Sequence, residues 1–168
     1  HIRVGSGPCV VEADEYDHSL HSIHPTLAVM TNVDRDHLDC YHDFSEICQT
    51  FLSYLQEVPF FGKVILNADD PIQKTFIPEI NRPIITYGKE NEVDFKISEI
   101  VFSKQETKFT CRVAPADCRL SIRFHLFGEH NVYNATAALA AIWDATGNRE
   151  LLDRAACDLA DFPGVSRR

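Results

Sequence analysis

Val10-Val11-Glu12-Ala13-Asp14-Glu15-Tyr16-Asp17 and Leu27-Ala28-Val29-Met30-Thr31-Asn32-Val33-Asp34-Arg35-Asp36-His37-Leu38-Asp39 decide how this chain is read. Each is a short apolar run that ends abruptly in acids, amides or a histidine. Uninterrupted apolar runs of this length suit strands buried on both faces, as in a parallel sheet covered by helices. Ligands of such sheets bind beyond the carboxyl ends of the strands, where both polar clusters fall. Glu12 closes the first run and His37 follows the second. A carboxylate and an imidazole there suit magnesium, which takes one or two protein ligands and completes its shell with water and phosphate oxygens. Read singly, either cluster is better taken as a solvated acidic turn; two on consecutive strands favour a shared site.

Outward from these runs, the pattern predicts an α/β fold: a mostly parallel sheet flanked by helices, with a small antiparallel β meander at about residues 92–126. Strands are expected at Cys9–Ala13, Thr26–Asn32, Lys63–Asn67 and Ile84–Tyr87, the last closed by Gly88. Phe44, Ile47, Cys48, Phe51, Leu52 and Leu55 recur at helical spacing behind Asp43, a capping residue, and Pro59 stops that helix. Asn67-Ala68-Asp69-Asp70-Pro71 ends a strand in polar groups and also suits a helix start, with proline at its first position. Alternation in Phe95–Phe102, Phe109–Val113 and Leu120–Phe124 suits antiparallel strands with one face in water. Gly128-Glu129-His130-Asn131 opens a long helix that Gly147 ends, and a last helix covers about residues 149–161. His130, Asn131 and Asn134 can face one way at that helix start; N-capping by Asn131 is the plainer reading.

With 168 residues the chain is long enough for one domain with a sizeable core. A net charge of -9 argues against a nucleic-acid or anionic-membrane surface as the main partner. No apolar run approaches the length of a membrane span. The six cysteines contain no CxxC pair, which removes zinc ribbons and thioredoxin-type redox centres; most are expected to be buried thiols of a reducing cytosol. His18, His21 and His24 precede Pro25 and read as solvated loop histidines rather than a metal cluster.

Four blocks in order resemble the central domain of the Mur ligases, the ATP-dependent amino-acid ligases of bacterial peptidoglycan synthesis. They are Val11–Asp17, Thr31–Asp39, Gly128-Glu129-His130-Asn131-Val132-Tyr133-Asn134-Ala135 and Phe162-Pro163-Gly164-Val165-Ser166-Arg167-Arg168, with Asn67–Pro71 in support. The resemblance is strongest to the branch that joins L-alanine to UDP-N-acetylmuramate, and next to the branch that recycles a tripeptide. It implies a cytoplasmic bacterial enzyme that uses ATP and Mg2+ and passes through an acyl phosphate. It implies that Glu12 and His37 hold magnesium in the catalytic centre. By the same resemblance His130, Asn131 and Asn134 line the adenine pocket, and Arg167 or Arg168 reaches the nucleotide. Residues 38–62 contain no lysine, so the carbamylated lysine some family members carry there has no counterpart. The family's Gly-Lys-Thr phosphate loop, uridine-nucleotide domain and amino-acid domain are absent from residues 1–168, which are therefore expected to be a central domain cut from a longer chain. The residues alone leave two other classes open: a metal-dependent phosphohydrolase using Glu12, Asp14 and Asp36, and a nucleotide-binding module without chemistry.

Overall fold

In Lys63–Asn67, Val64, Ile65 and Leu66 are all fully buried. A strand can bury consecutive residues only if both of its faces are covered. The computed structural model, which describes residues 7–13, 20–34 and 40–164, shows how. In chain order its elements are β1 (Leu27–Val29), α1 (Phe44–Gln56), β2 (Lys63–Asn67), α2 (Pro71–Phe76), β3 (Ile84–Gly88), β4 (Phe95–Phe102), β5 (Thr107–Val113), β6 (Cys118–Phe124), α3 (Glu129–Thr146) and α4 (Arg149–Asp158). The six strands form one sheet in the order β1-β2-β3-β4-β5-β6. β1 to β4 run parallel, with Ala28 beside Val64 and Ile65 beside Ile85; β4-β5 and β5-β6 are antiparallel.

Alternate residues of β2 serve separate cores. Val64 and Leu66 pack with Leu20, Met30, Ile47, Leu55 and Phe76 on the α1 side. Ile65 packs with Tyr87, Phe95, Val132, Leu139 and Leu152 on the side of α3 and α4. The expected meander exists and continues the parallel sheet, because β4 starts where β3 ends: Tyr87 pairs with Phe95 and Gly88 with Lys96.

Local chemistry sets the element ends. Asp43 caps α1 by accepting from the Glu46 amide at 3.0 Å, while Glu46 reaches back to the His42 amide at 2.7 Å. Asp70 caps α2, accepting from the amides of Ile72 (2.8 Å) and Gln73 (3.1 Å), with Pro71 at the first helical position. Gly147, in the left-handed region at φ 56°, ends α3 and donates to the Trp143 carbonyl.

Three expectations change. Cys9–Ala13 forms no strand: no described strand supplies its ladder bonds, and Val10 and Val11 are 94% and 56% exposed. The second expected strand shrinks to three residues, although the Met30 amide still donates to the Ile65 carbonyl at 3.0 Å. Of the cysteines only Cys111 is buried; Cys9 and Cys157 are exposed and Cys40, Cys48 and Cys118 are half-buried. Cys9 follows the fate of its missing strand. Among the other histidines, His24 is exposed, His18 lies outside the described residues, and His21 meets Glu57 at 2.8 Å.

Candidate functional site

The carboxyl ends of β2 and β3 meet the first turn of α3. The Ala68 amide donates to the Tyr87 carbonyl at 2.8 Å, so both strands stop together. Beyond β2, the Asn67 side chain accepts from the Asp69 amide at 3.0 Å and turns the chain. The Asp69 carboxylate then accepts from the amides of Lys89 (2.6 Å) and Glu90 (3.3 Å) and from the Tyr133 hydroxyl (2.6 Å). Three segments distant in sequence therefore converge on one side chain. A glycine is required opposite it, since Gly88 has φ 153° and a Cβ there would sit 2.8 Å from an Asp69 oxygen. The Lys89 ammonium lies 5.8 Å over the Tyr133 ring and pairs with Glu129 in the first turn of α3.

Both tyrosines are held neutral. Burial raises the Tyr87 phenol pKa, with a further contribution from Asp70, and its hydroxyl donates to the Met30 carbonyl at 3.1 Å. Burial also raises that of Tyr133, helped by its bond to Asp69.

His130, Asn131 and Asn134 stand on the outer side of this junction. His130 and Asn134 are exposed and Asn131 is half-buried. The His130 ring and Asn131 amide lie 3.1 Å apart. Asn131 does not cap α3. The cap residue is Gly128, without a side-chain bond, and the Asn131 amide instead donates to the Phe127 carbonyl at 2.7 Å. At position three of the helix its side chain reaches back to the entering chain, which leaves no role as the cap.

Glu12 is exposed on the irregular segment that precedes β1 in the chain. His37, Arg167 and Arg168 lie outside the described residues, as do Asp14 and Asp36. A groove of about 470 Å³ over β4–β6 and the end of α4 contains none of the expected site residues. Sequence reasoning overlooked Tyr133 and Lys89 and gave Asp69 only a supporting part. The available signal was that Tyr133 falls one helical turn after His130 and next to Asn134.

A family model described as the Mur ligase middle domain matches residues 5–142. The chain belongs to that family. Over 168 residues it is 40% identical to a UDP-N-acetylmuramate–L-alanine ligase of Syntrophotalea carbinolica, covering 99% of this chain and 36% of that one. A relative of the same name from Dechloromonas aromatica is 38% identical over 169 residues, again 99% and 36%. The chain thus spans about a third of the length of the curated relatives it matches. Among solved structures, the UDP-N-acetylmuramate–alanine ligase MurC of Thermotoga maritima superposes with a TM-score of 0.74 at 24% identity, over 98% of this chain and 35% of that one. The UDP-N-acetylmuramate:L-alanyl-gamma-D-glutamyl-meso-diaminopimelate ligase of Neisseria meningitides does so at 0.72 and 23%, over 93% and 48%. These likenesses establish the α/β Mur ligase fold.

No described helix is long and apolar enough to cross a membrane.

Proposed function

We propose that this chain is the ATP- and magnesium-binding central domain of a bacterial ligase. The whole enzyme joins L-alanine to UDP-N-acetylmuramate in the cytoplasm, forming ADP and phosphate through an acyl phosphate. The observation that carries this reading is identity of 36–40% across nearly the whole chain to relatives bearing that name. The junction of β2, β3 and α3 supports it, because ligands of open α/β sheets bind at such strand ends.

The donor chemistry fits magnesium. Glu12 offers an exposed carboxylate. No cluster of three or more His, Cys, Asp or Glu occurs among the described residues, and a magnesium ion shared with phosphate needs none. Glu12 and His37 would hold it, and when bound it neutralises charge between the ATP phosphates and the substrate carboxylate. His130, Asn131 and Asn134 would orient the adenine, and Arg167 or Arg168 would supply positive charge for the nucleotide. With these groups in place the lactyl carboxylate attacks the terminal phosphate of ATP and releases ADP. The amine of L-alanine then attacks the acyl phosphate, and the tetrahedral intermediate expels phosphate.

The test uses the full-length protein. Phosphate release is expected to require both UDP-N-acetylmuramate and L-alanine, with little activity when the L-alanyl-gamma-D-glutamyl-meso-diaminopimelate tripeptide replaces L-alanine. Strong preference for the tripeptide would move the chain to the recycling branch. ATP hydrolysis independent of both substrates would favour a phosphohydrolase. Glu12→Gln and His37→Ala are each expected to reduce kcat at every magnesium concentration.

A further inference from the structure

We propose that Asp69 and Tyr133 form a positioning pair that orients the adenine end of the nucleotide site. This inference rests on the nucleotide reading above and goes beyond it, since neither residue is among those expected to touch ATP.

Asp69 is an acceptor held by two backbone amides. Its Oδ2 takes the Lys89 amide at 2.6 Å and its Oδ1 takes the Glu90 amide at 3.3 Å, so the turn after β3 holds its carboxylate. Gly88 keeps the space that this orientation needs. The Tyr133 hydroxyl adds a bond of 2.6 Å to the same Oδ2, from a residue 64 positions away. Bonds to a carboxylate are short and about twice as strong as neutral ones.

The start of α3 is steadied by such a bond. Its cap is Gly128, which contributes no side-chain bond, and helix ends without caps fray. His130 and Asn134 are exposed on the first two turns, where Val132 and Ala135 anchor the helix in the core and the Tyr133 bond adds a tie to the strand ends. Tyr133 sits between them in sequence, half-buried, with its ring 6.3 Å from that of buried Tyr87. Packing alone would be satisfied by phenylalanine; the hydroxyl serves the bond. Lys89, over the Tyr133 ring and paired with Glu129, closes the same turn from the solvent side. The pair thereby ties the side chains proposed for the base to the carboxyl ends of β2 and β3, where ligands of such sheets bind. Base recognition needs both in one frame.

The experiment compares wild type, Tyr133→Phe, Asp69→Asn, Asp69→Ala and the Asp69→Ala/Tyr133→Phe double variant in the full-length protein. It measures kcat, KM for ATP, the kcat/KM ratio of ATP to GTP, and Tm. Tyr133→Phe is expected to raise the KM for ATP about tenfold and to narrow the ATP:GTP ratio, with kcat unchanged. Asp69→Asn keeps the size but loses the charge and one acceptor oxygen, and is expected to shift the KM for ATP in the same direction as Tyr133→Phe. The double variant is expected to be no worse than Asp69→Ala in KM, because both changes remove the same bond. A purely structural role would lower Tm and the active fraction while leaving KM and the ATP:GTP ratio in place. That result for Tyr133→Phe overturns the proposal, and if Asp69→Ala fails to fold, Tyr133→Phe and Asp69→Asn still decide it. Wild-type protein whose activity does not saturate with ATP would instead overturn the nucleotide reading, and the positioning role with it.

Discussion

Asp70 shows how one residue can satisfy several partners. Its carboxylate caps α2 and also accepts from the Gln73 amide side chain at 3.4 Å, while the Gln73 carbonyl oxygen takes the Asn67 amide at 2.8 Å. Gln73 is fully buried, and this exchange satisfies it. Asp70→Ala is expected to cost at least about 1 kcal/mol, the usual worth of an N-cap, read as a lower urea midpoint at unchanged m-value. Gly88→Ala is expected to be worse, since the added Cβ meets an Asp69 oxygen at 2.8 Å in a backbone conformation that L side chains rarely adopt. Cys111 gives the clearest pH effect. Burial pushes its pKa up to about 12, whereas an unfolded thiol ionises near ~8.5. Between these values the unfolded chain has released a proton that the folded chain keeps, so stability falls as pH rises through that window. In the native protein at pH 9, iodoacetamide is expected to modify exposed Cys9 and Cys157 well before Cys111, as mass spectrometry of the digested protein would show. Equal labelling of all three would contradict the burial of Cys111.

Among the elements, β2 does the most to organise the molecule, because its consecutive residues enter opposite cores. Leu66→Ala, on the α1 side, is expected to cost about 2–5 kcal/mol, the range for a fully buried leucine. Ile65→Val, on the α3 side, is expected to cost about 0.5–1.5 kcal/mol. Denaturant unfolding of each variant gives both numbers. The meander was legible from alternation in the sequence, but its bulge was not. Register shifts between Ser98 and Val101, and Glu99 takes φ 54°, a left-handed conformation uncommon for a non-glycine residue. Its carboxylate meets Thr110 at 2.7 Å and Arg119 at 2.6 Å, contacts that hold its pKa below the usual carboxylate range. Thr110 comes from β5 and Arg119 from β6, so no local pattern announces the bulge.

Across the whole molecule, the two cores share β1, β2 and β3, whose alternate residues enter one or the other, so they are expected to unfold together. Trp143, the only tryptophan, packs against the α3-side core and reports that face alone, whereas far-ultraviolet circular dichroism sums α1 and α2 on one face with α3 and α4 on the other. Tryptophan fluorescence and far-ultraviolet circular dichroism are therefore expected to give coincident urea transitions. Separate midpoints would show that the two faces of the sheet are uncoupled.

Whatever is periodic or local was determined by the sequence itself. Helical spacing set α1 and α3, continuous apolar runs set β2 and β3, and capping chemistry set Asp43, Asp70 and Gly147. The blocks around Glu12, His37 and His130 were also enough to indicate the family. Only tertiary structure could decide pairing. Cys9–Ala13 has the composition of a buried strand and forms none, because a strand exists only through ladder bonds to a neighbour. Asn131 has the chemistry of a cap and turns to the Phe127 carbonyl instead. The Asp69–Tyr133 bond joins residues that no local rule connects, since hydrogen bonds of 2.6 Å depend on where the folded backbone places each partner and not on their spacing along the chain.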